Sequence, residues 1–284
     1  MNAEKFYQDD GMVTITAASV GVSCQRWIGV PESEISTTNY QQIMENRRFD
    51  VLPIIPKAGE TVEYFKTDVS NQYANISRHS ITDNDKVPLD TNISDIIHKM
   101  VAEERMFYFL TYNNEVTGLI TEANLNCRQV QVFLFSKICA IERTLARLVN
   151  YHMSNEELEE LLETKASGSD KFKIILYNYR QLIKLDLENN ITEHLYLIDF
   201  FNIICKKELY QQLGFRRSQW KDFDDLNVLR NLIAHPTCSL LDASNNMEVL
   251  SRRLNKIDEL TTALESWKRR VAGIQNLPLG ILDQ

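Results

Sequence analysis

One stretch near the C-terminus has residue types and a spacing suited to phosphate chemistry. The segment LRNLIAHP places Arg230, followed directly by Asn231, five residues before His235. An arginine binds phosphate oxygens with a planar fork that keeps its charge, and a histidine moves protons near neutral pH. The pair is therefore suited to phosphodiester cleavage. The spacing alone fits equally well a solvated arginine and a histidine that favours a helix C-terminus.

The surrounding pattern predicts a helix that carries Arg230 and ends at about His235. Apolar residues recur at helical spacing after Asp224 and Asp225, which are both favourable capping types. Pro236 disfavours the helical conformation for the residue before it. Five residues of a regular helix turn by roughly 140°, so the arginine and histidine side chains do not share one face. Either the helix end bends them together or a second copy of the chain completes the site.

Length and composition predict about two domains of ordinary globular type. The 284 residues are 44% hydrophobic and 25% charged. No run of about 18 apolar residues occurs and the beginning, MNAEKFYQDD, has no signal-peptide pattern, so we expect neither a membrane span nor secretion. The five cysteines are scattered without a CxxC pair, which argues against a zinc cluster or a disulfide framework. We therefore expect a cytoplasmic protein.

The net charge limits how nucleic acid could bind. At −8 the chain has no generally basic surface, so contact with RNA requires a local patch. Solvated helix faces would also explain any single basic cluster. The candidate clusters are Lys206-Lys207, Arg216-Arg217, Arg252-Arg253 and Lys268-Arg269-Arg270.

The chain contains no motif of the common metalloprotease, serine hydrolase or P-loop enzymes. There is no HExxH, GxSxG or GxxxxGK[ST] sequence, and the remaining histidines are dispersed, which favours surface or packing roles over metal binding. These histidines are His79, His98, His152 and His194. We expect no catalytic metal.

The first half contains an internal repeat. After residues 12–30, whose composition predicts short strands, a helix over 39–48 leads into strands over 49–55 and 61–67. About 54 residues later a helix opening at Thr91 or Ser94 leads into strands over 106–110 and 116–121, joined by a turn at 113–114. Residues 60–67 align without gaps on 114–121. A repeat of this kind implies two similar units about a pseudo-dyad.

The helix–strand–turn–strand unit that ends with Gly118-Leu119-Ile120-Thr121 resembles a cystathionine-β-synthase (CBS) motif. Two such units in tandem, over roughly residues 10–124, resemble a CBS pair. That resemblance implies a regulatory domain that binds an adenosine nucleotide in a cleft. Ser70 and Asn124 stand where the family tends to have an acidic residue, and Tyr64 stands where the motif prefers glycine. A pair kept for packing and dimerisation, without ligand, is therefore the alternative. The implied nucleotide-binding positions are Thr67, Ser70, Thr121 and Asn124.

From residue 125 onward the pattern is helical throughout. Apolar periodicity predicts helices over 130–149, 172–187, 195–209 and 247–271, besides the one that carries Arg230. Ser154 opens a short acidic helix with a capping box, a flexible link follows at 167–169, and Gly214 is a helix stop. Five or six amphipathic helices with short loops form a bundle. The predicted class is α+β, with a mixed α/β unit over 1–124 and an all-α unit over 125–284.

A helical bundle whose penultimate helix ends in RNxxxHP resembles the HEPN family (higher eukaryotes and prokaryotes nucleotide-binding). That resemblance implies a homodimer in which two motifs face one cleft, and an endoribonuclease that needs no metal and leaves a 2′,3′-cyclic phosphate. Arg230, Asn231 and His235 would be its catalytic residues, with Glu142 as a candidate partner of Arg230. An exposed Glu142–Arg143 surface is the alternative at that position.

The same resemblance implies a setting in defence, toxicity or stress response. Two alternatives stay open. The chain could be a noncatalytic nucleotide-sensing scaffold that binds a partner protein, or an effector held inactive by a second protein such as an antitoxin.

Overall fold

Strands lie in the first half of the chain and helices dominate the second, so the predicted α+β class is confirmed. The computed structural model describes residues 14–56, 62–67, 73, 75–187, 190–235 and 237–275. Contacts divide the chain into two units. One consists of Thr14–Phe133 and Ser239–Ser251, and the other, among described residues, of Leu134–Cys238 and residues 252–275.

The first unit contains two four-stranded sheets. Its elements are α1 (Ala17–Val20), β1 (Val22–Ser23), β2 (Val30–Pro31), α2 (Tyr40–Arg47), β3 (Val51–Ile55), β4 (Glu63–Thr67), β5 (Ile76–Ser80), β6 (Lys86–Pro88), α3 (Ile93–Ala102), β7 (Phe107–Tyr112), β8 (Glu115–Thr121) and α4 (Glu122–Leu125). One sheet has the order β2-β3-β4-β5 and the other the order β1-β8-β7-β6. In each sheet a short strand runs parallel to a longer one, and an antiparallel hairpin partner follows.

The repeat predicted from the sequence is present in both sheets. Each repeat has a helix between its two parallel strands, which are β2 and β3 in one repeat and β6 and β7 in the other. The strand that begins each repeat pairs in the sheet of the other repeat: β1 pairs with β8, and β5 pairs with β4. Gly118 lies opposite Ser23 in one sheet, and the aligned Tyr64 lies opposite His79 in the other. The exchange of first strands joins the two repeats into one unit.

Tight turns in both repeats explain where their helices and strands end. Arg48 follows α2 with φ 55° and Glu104 follows α3 with φ 52°, so each helix closes with a left-handed residue. Asn113 and Asn114 both have positive φ, as a two-residue hairpin turn requires. The apolar faces of the two sheets meet in one core made of Val51, Tyr64, Phe107, Phe109 and Leu119.

Some expectations for the first unit need correction. The stretch over 12–30 does not consist of strands alone, because α1 forms one helical turn there, and residues 12 and 13 lie outside the described part. Strands β5 and β6 were not predicted. Four of the five residues of β5 are exposed, and β6 has only three residues, so neither shows a clear alternation of apolar side chains.

The second unit is helical. Its elements are α5 (Arg128–His152), α6 (Asn155–Ala166), α7 (Asp170–Lys184), α8 (Leu197–Lys206), α9 (Arg217–Asp222), α10 (Asp225–Ala234) and α11 (Met247–Gln275), of which α5 and α11 also contribute residues to the first unit. The capping box at Ser154 is confirmed, since its hydroxyl accepts from the amide of Glu157, whose carboxylate accepts from the Ser154 amide. No helix in the described part of the chain is long and apolar enough to cross a membrane.

Helix α8 is shorter than predicted. It ends at Lys206 because Glu208 takes a positive φ of 56°, and a 3-10 turn over Leu209–Leu213 carries the apolar pattern on to Gly214. The short α9 was not predicted. Its buried Trp220 donates from Nε1 to the carbonyl of Phe201 at 3.0 Å, which joins α9 to α8.

Candidate functional site

Helix α10 carries the predicted arginine and ends at the predicted histidine. Leu226, Leu229 and Ile233 are buried and give the helix its inner face. The helix stops at Ala234, and His235 adopts an extended conformation directly after it, as the sequence predicts from Pro236, which itself lies outside the described residues.

Asp225 secures the beginning of α10, although not by capping. The side chain of Asp224 makes no cap hydrogen bond, contrary to expectation. Asp225 instead accepts from Arg253 at 3.0 and 3.2 Å and from Lys256 at 3.4 Å, both on α11. Burial alone would raise the pKa of Asp225, but the bonds and charges of Arg253 and Lys256 outweigh it and lower the pKa. The helix that carries Arg230 is thus tied to α11 by charge.

Arg230 lies partly buried against two residues from other elements. Its Nε lies 3.7 Å from a carboxylate oxygen of Glu142 on α5, with 26% and 21% of the two side chains exposed. Its guanidinium lies 5.7 Å from the ring centroid of Tyr196. Within the described residues the buried Nε has no hydrogen-bond partner. The guanidinium is therefore held by the charge of Glu142 and by contact with the ring of Tyr196.

Glu142 contacts two other helices, α10 through Arg230 and α8 through Leu197. Besides facing Arg230, its carboxylate accepts from the amide of Leu197, the first residue of α8, at 3.2 Å. Burial raises the pKa of Glu142 above its ordinary value of 4.5, while Arg230 and the Leu197 amide act in the opposite direction. Ionised Glu142 therefore carries a desolvation penalty that its partners only partly offset.

Tyr196 stands beside two cations. Lys171 on α7 lies 4.7 Å from the same ring centroid that Arg230 contacts. Lys171 is held by two bonds to the buried Asp199, at 2.6 and 2.7 Å. No local sequence pattern indicates this grouping, since its members come from separate segments of the chain.

Asn231 and His235 are exposed, whereas Arg230 is partly buried. The carbonyl of His235 accepts from the amide of Cys238 at 3.0 Å, which turns the chain after the helix. The histidine ring is thus presented to solvent at the helix end, where it can meet a large substrate.

The first unit contains a cavity beside two of the predicted nucleotide-binding residues. Thr121 and Asn124 line a space of about 310 Å³. The Oδ1 of Asn124 accepts from both the amide and the hydroxyl of Thr121, at 2.8 and 2.9 Å, as a capping box for α4. The asparagine therefore shapes the wall of the cavity.

The same cavity has charged and aromatic walls that the sequence did not indicate. Its cations are Arg26, Arg47 and Arg48, its carboxylates are Asp50 and Glu122, and its aromatic residues include Trp27 and Phe107. Partial burial raises the pKa of Asp50, and burial together with the charge of Asp50 raises the pKa of Glu122. Both carboxylates line the cavity.

The other two predicted positions are Thr67 and Ser70. Thr67 is buried, its amide donates to the carbonyl of Asp50 at 3.1 Å, and it does not line the cavity. Ser70 lies outside the described residues. Tyr64 packs in the core between the sheets, against Phe107 and Phe109.

Two of the four basic clusters proposed from the sequence make contacts within the protein. Arg252 and Arg253 pair with Asp225. In the last cluster, Lys268 pairs with Glu265 and Arg270 donates to the carbonyl of Gln212.

Comparison with known proteins identifies no family for this chain. No protein-family model matches it, and no curated protein matches it. Among solved structures, it is similar to a hemolysin-like protein containing a CBS domain from Oenococcus oeni, at 14% identity and a TM-score of 0.29. The match covers 44% of this chain and 96% of that one. At that TM-score the similarity adds nothing to the description of the site.

Proposed function

We propose that this protein is a nucleotide-regulated endoribonuclease that needs no metal. The observation that carries the proposal is the setting of Arg230: a partly buried guanidinium held by Glu142 and Tyr196, with a buried Nε–H that has no bond among the described residues, one turn and a half before an exposed histidine. Such a group is suited to bind a phosphate whose charge grows in the transition state.

The chemistry assigned to this site is transesterification within RNA. The 2′-hydroxyl attacks the adjacent phosphorus and loses its proton, the bond from phosphorus to the 5′-oxygen breaks, and that oxygen takes up a proton. The products are a 2′,3′-cyclic phosphate and a 5′-hydroxyl. His235 moves the protons, Arg230 holds the phosphate, and Asn231 orients the histidine or the substrate.

The proposed enzyme is a homodimer. Helix α10 stops at Ala234 and His235 lies outside it in an extended conformation, so one chain offers a single histidine where the reaction needs both a proton acceptor and a proton donor. A second chain would supply a histidine to the other side of the phosphate, so that one ring accepts a proton while the other donates one.

The proposed regulator is an adenosine nucleotide in the 310 Å³ cavity. Arginine guanidinium groups bind phosphates through charge-assisted bonds, and Arg26, Arg47 and Arg48 would do so here. Asp50 and Glu122 offer acceptors to the ribose hydroxyls, and Trp27 offers a ring to the base. The cavity therefore has a complementary group for each part of the ligand.

The test is RNA cleavage in the presence of EDTA, with and without added AMP or ATP. We expect the wild type to cut a labelled RNA and Arg230→Ala and His235→Ala to cut at least about a hundredfold more slowly, since general acid–base catalysis contributes roughly 10²–10⁴. His79→Ala, at an exposed histidine of the other unit, is the matched control and should cut normally. Equal rates in all four proteins, or no cleavage under any nucleotide condition, would contradict the proposal.

The cavity also favours a second candidate, a noncatalytic nucleotide-sensing scaffold whose helical unit binds a partner protein. Tight nucleotide binding without any RNA cleavage would select it. If the enzyme acts as a toxin held by a partner or antitoxin, expression of the wild type should slow growth and His235→Ala should be harmless.

A further inference from the structure

A groove of about 680 Å³ lies in the helical unit, apart from α10. Helix α5 forms one wall, and residues from α11 and from the chain around 190–200 complete it. Three cationic side chains line this groove: Arg143, Arg147 and Lys268. Two carboxylates, Glu142 and Glu193, also line it, so the three cations leave an excess of one positive charge in a chain whose net charge is −8.

The two arginines share one face of α5. They are four residues apart, so their side chains lie one above the other along the helix. Arg143 is exposed and Arg147 partly exposed. Lys268 comes from α11 and lines the same groove, where it also pairs with Glu265 at 3.1 Å. Cations spaced along a groove suit a ligand with several phosphates in a row.

The same wall carries an aromatic surface. Tyr151, one turn beyond Arg147 on α5, is 44% exposed and lines the groove. Its ring meets Trp267 edge-to-face, with centroids 5.9 Å apart and an angle of 82°, which holds the tyrosine in place. Cations that follow a backbone, together with an exposed aromatic ring on which a base can stack, are what single-stranded nucleic acid binds.

The groove reaches the Arg230 site through one residue. Glu142 lines the groove at the position directly before Arg143, and the same carboxylate lies 3.7 Å from Arg230. A strand lying along Arg147 and Arg143 would therefore arrive at Arg230.

We propose that this groove binds the single-stranded RNA substrate and leads it to Arg230, with Arg143 and Arg147 on successive phosphates and Tyr151 stacked on a base. The inference rests on the proposed ribonuclease function and adds the path of its substrate. The proposed patch combines Arg143 and Arg147, which are four apart on a helix, with Lys268, which belongs to one of the basic clusters proposed from the sequence.

The test is binding of a fluorescein-labelled single-stranded RNA, followed by anisotropy across a series of salt concentrations. The full-length His235→Ala protein serves as the parent so that the RNA is not cut. Each phosphate contact to a single strand contributes about 0.7 to the slope of log affinity against log salt. Adding Arg143→Ala and Arg147→Ala should therefore reduce the slope by about 1.4. If the electrostatic contribution vanishes near 1 M salt, this corresponds to about 25-fold weaker binding at 0.1 M.

Two control variants distinguish the loss of phosphate contacts in the groove from a general loss of positive charge and from misfolding. Arg216→Ala with Arg217→Ala removes the same charge from exposed arginines outside the groove and should change binding less than about twofold. Arg143→Lys with Arg147→Lys keeps the charge and should retain most of the affinity. Tyr151→Ala should weaken binding at least about fivefold, whereas Tyr151→Phe should not, because stacking needs the ring and not the hydroxyl.

Equal affinity in the parent and the Arg143→Ala, Arg147→Ala variant would overturn the groove assignment. So would a loss confined to the Arg216→Ala, Arg217→Ala control. If the wild type cuts RNA while the groove variant binds and cuts normally, the groove inference alone fails. If the parent binds no RNA and the wild type cuts none, the proposed function fails with it.

Discussion

The contact between Asp225 and α11 gives the most direct prediction about how the site is held. Asp225→Asn keeps the shape of the side chain but removes its charge. Arg253, only 7% exposed, then loses the counter-ion that it contacts at 3.0 Å. Lys256 loses its anionic partner but keeps its bond to the carbonyl of Asp222. Removing one partner of a fully buried pair costs about 3–5 kcal/mol. Because Asp225 is partly exposed and asparagine still accepts a hydrogen bond, we expect about 2–3 kcal/mol.

The assay is urea unfolding, monitored by far-ultraviolet circular dichroism, at several pH values. The pKa of Asp225 is lower in the folded chain than its ordinary value of 3.8. Its contribution is therefore fully present above pH 3.8 and disappears as the pH falls through the lower folded value. The difference in unfolding free energy between the wild type and Asp225→Asn should be largest at pH 5–7 and shrink below about pH 3.8.

Asp258→Asn is the matched control. Asp258 also pairs with a lysine, Lys137, at 3.1 Å, but 49% of its side chain is exposed. Exposed pairs contribute about 0.2–1 kcal/mol, so this change should leave stability nearly unaltered. If Asp225→Asn is as mild as Asp258→Asn, or if its effect does not depend on pH, the argument that charge ties α10 to α11 is wrong.

Three further predictions concern single contacts. Glu142→Gln should lower the rate of RNA cleavage at least about tenfold but leave the free energy of unfolding at pH 7 equal or higher. The pKa of Glu142 is raised, which means that the folded chain disfavours its ionised form. Cleavage rates and urea unfolding, measured on the same protein, check both expectations. Arg47→Ala with Arg48→Ala should weaken nucleotide binding by calorimetry at least about tenfold, whereas Lys99→Ala, outside the cavity, should not. Gly118→Ala should destabilise the first unit by about 1–3 kcal/mol in thermal unfolding, because a Cβ there would lie 2.7 Å from a backbone carbonyl oxygen of β1.

The sequence predicted the longer elements because their patterns are long enough to be periodic. The hairpin of β7 and β8 follows from apolar runs around Asn113-Asn114. Helices α5 and α11, of 25 and 29 residues, follow from apolar residues at helical spacing over 130–149 and 247–271. The end of α10 at Ala234 follows from the conformational limits that Pro236 imposes.

The exchange of first strands between the two repeats could not be predicted. Strand β1 has two residues, and β5 is mostly exposed, so neither has an apolar pattern that would select a partner. The pairing depends on contacts distant in sequence, such as Gly118 with Ser23.

Candidate residues that lie in one short segment can be proposed from the sequence, whereas groups of residues from several elements cannot. Arg230 and His235 stand in one short motif, and Glu142 was a candidate partner only through a family resemblance. The three arginines of the cavity come from two separate segments of the chain. In the sequence, Arg143 and Arg147 look like residues of an ordinary solvated helix face, and only the structure shows that they line a groove. Residues that come together only in the tertiary structure leave no local pattern in the sequence.

The measurement that tests the central claim most directly is the mass of the ends that the wild type leaves on a defined RNA oligonucleotide in EDTA. Cleavage by the 2′-hydroxyl with Arg230 and His235 predicts a 2′,3′-cyclic phosphate on one product and a 5′-hydroxyl on the other. The same sequence made of 2′-O-methyl nucleotides should stay intact, as should the RNA incubated with His235→Ala. Products that end in a 3′-hydroxyl and a 5′-phosphate, or cleavage of the 2′-O-methyl strand, would contradict the account.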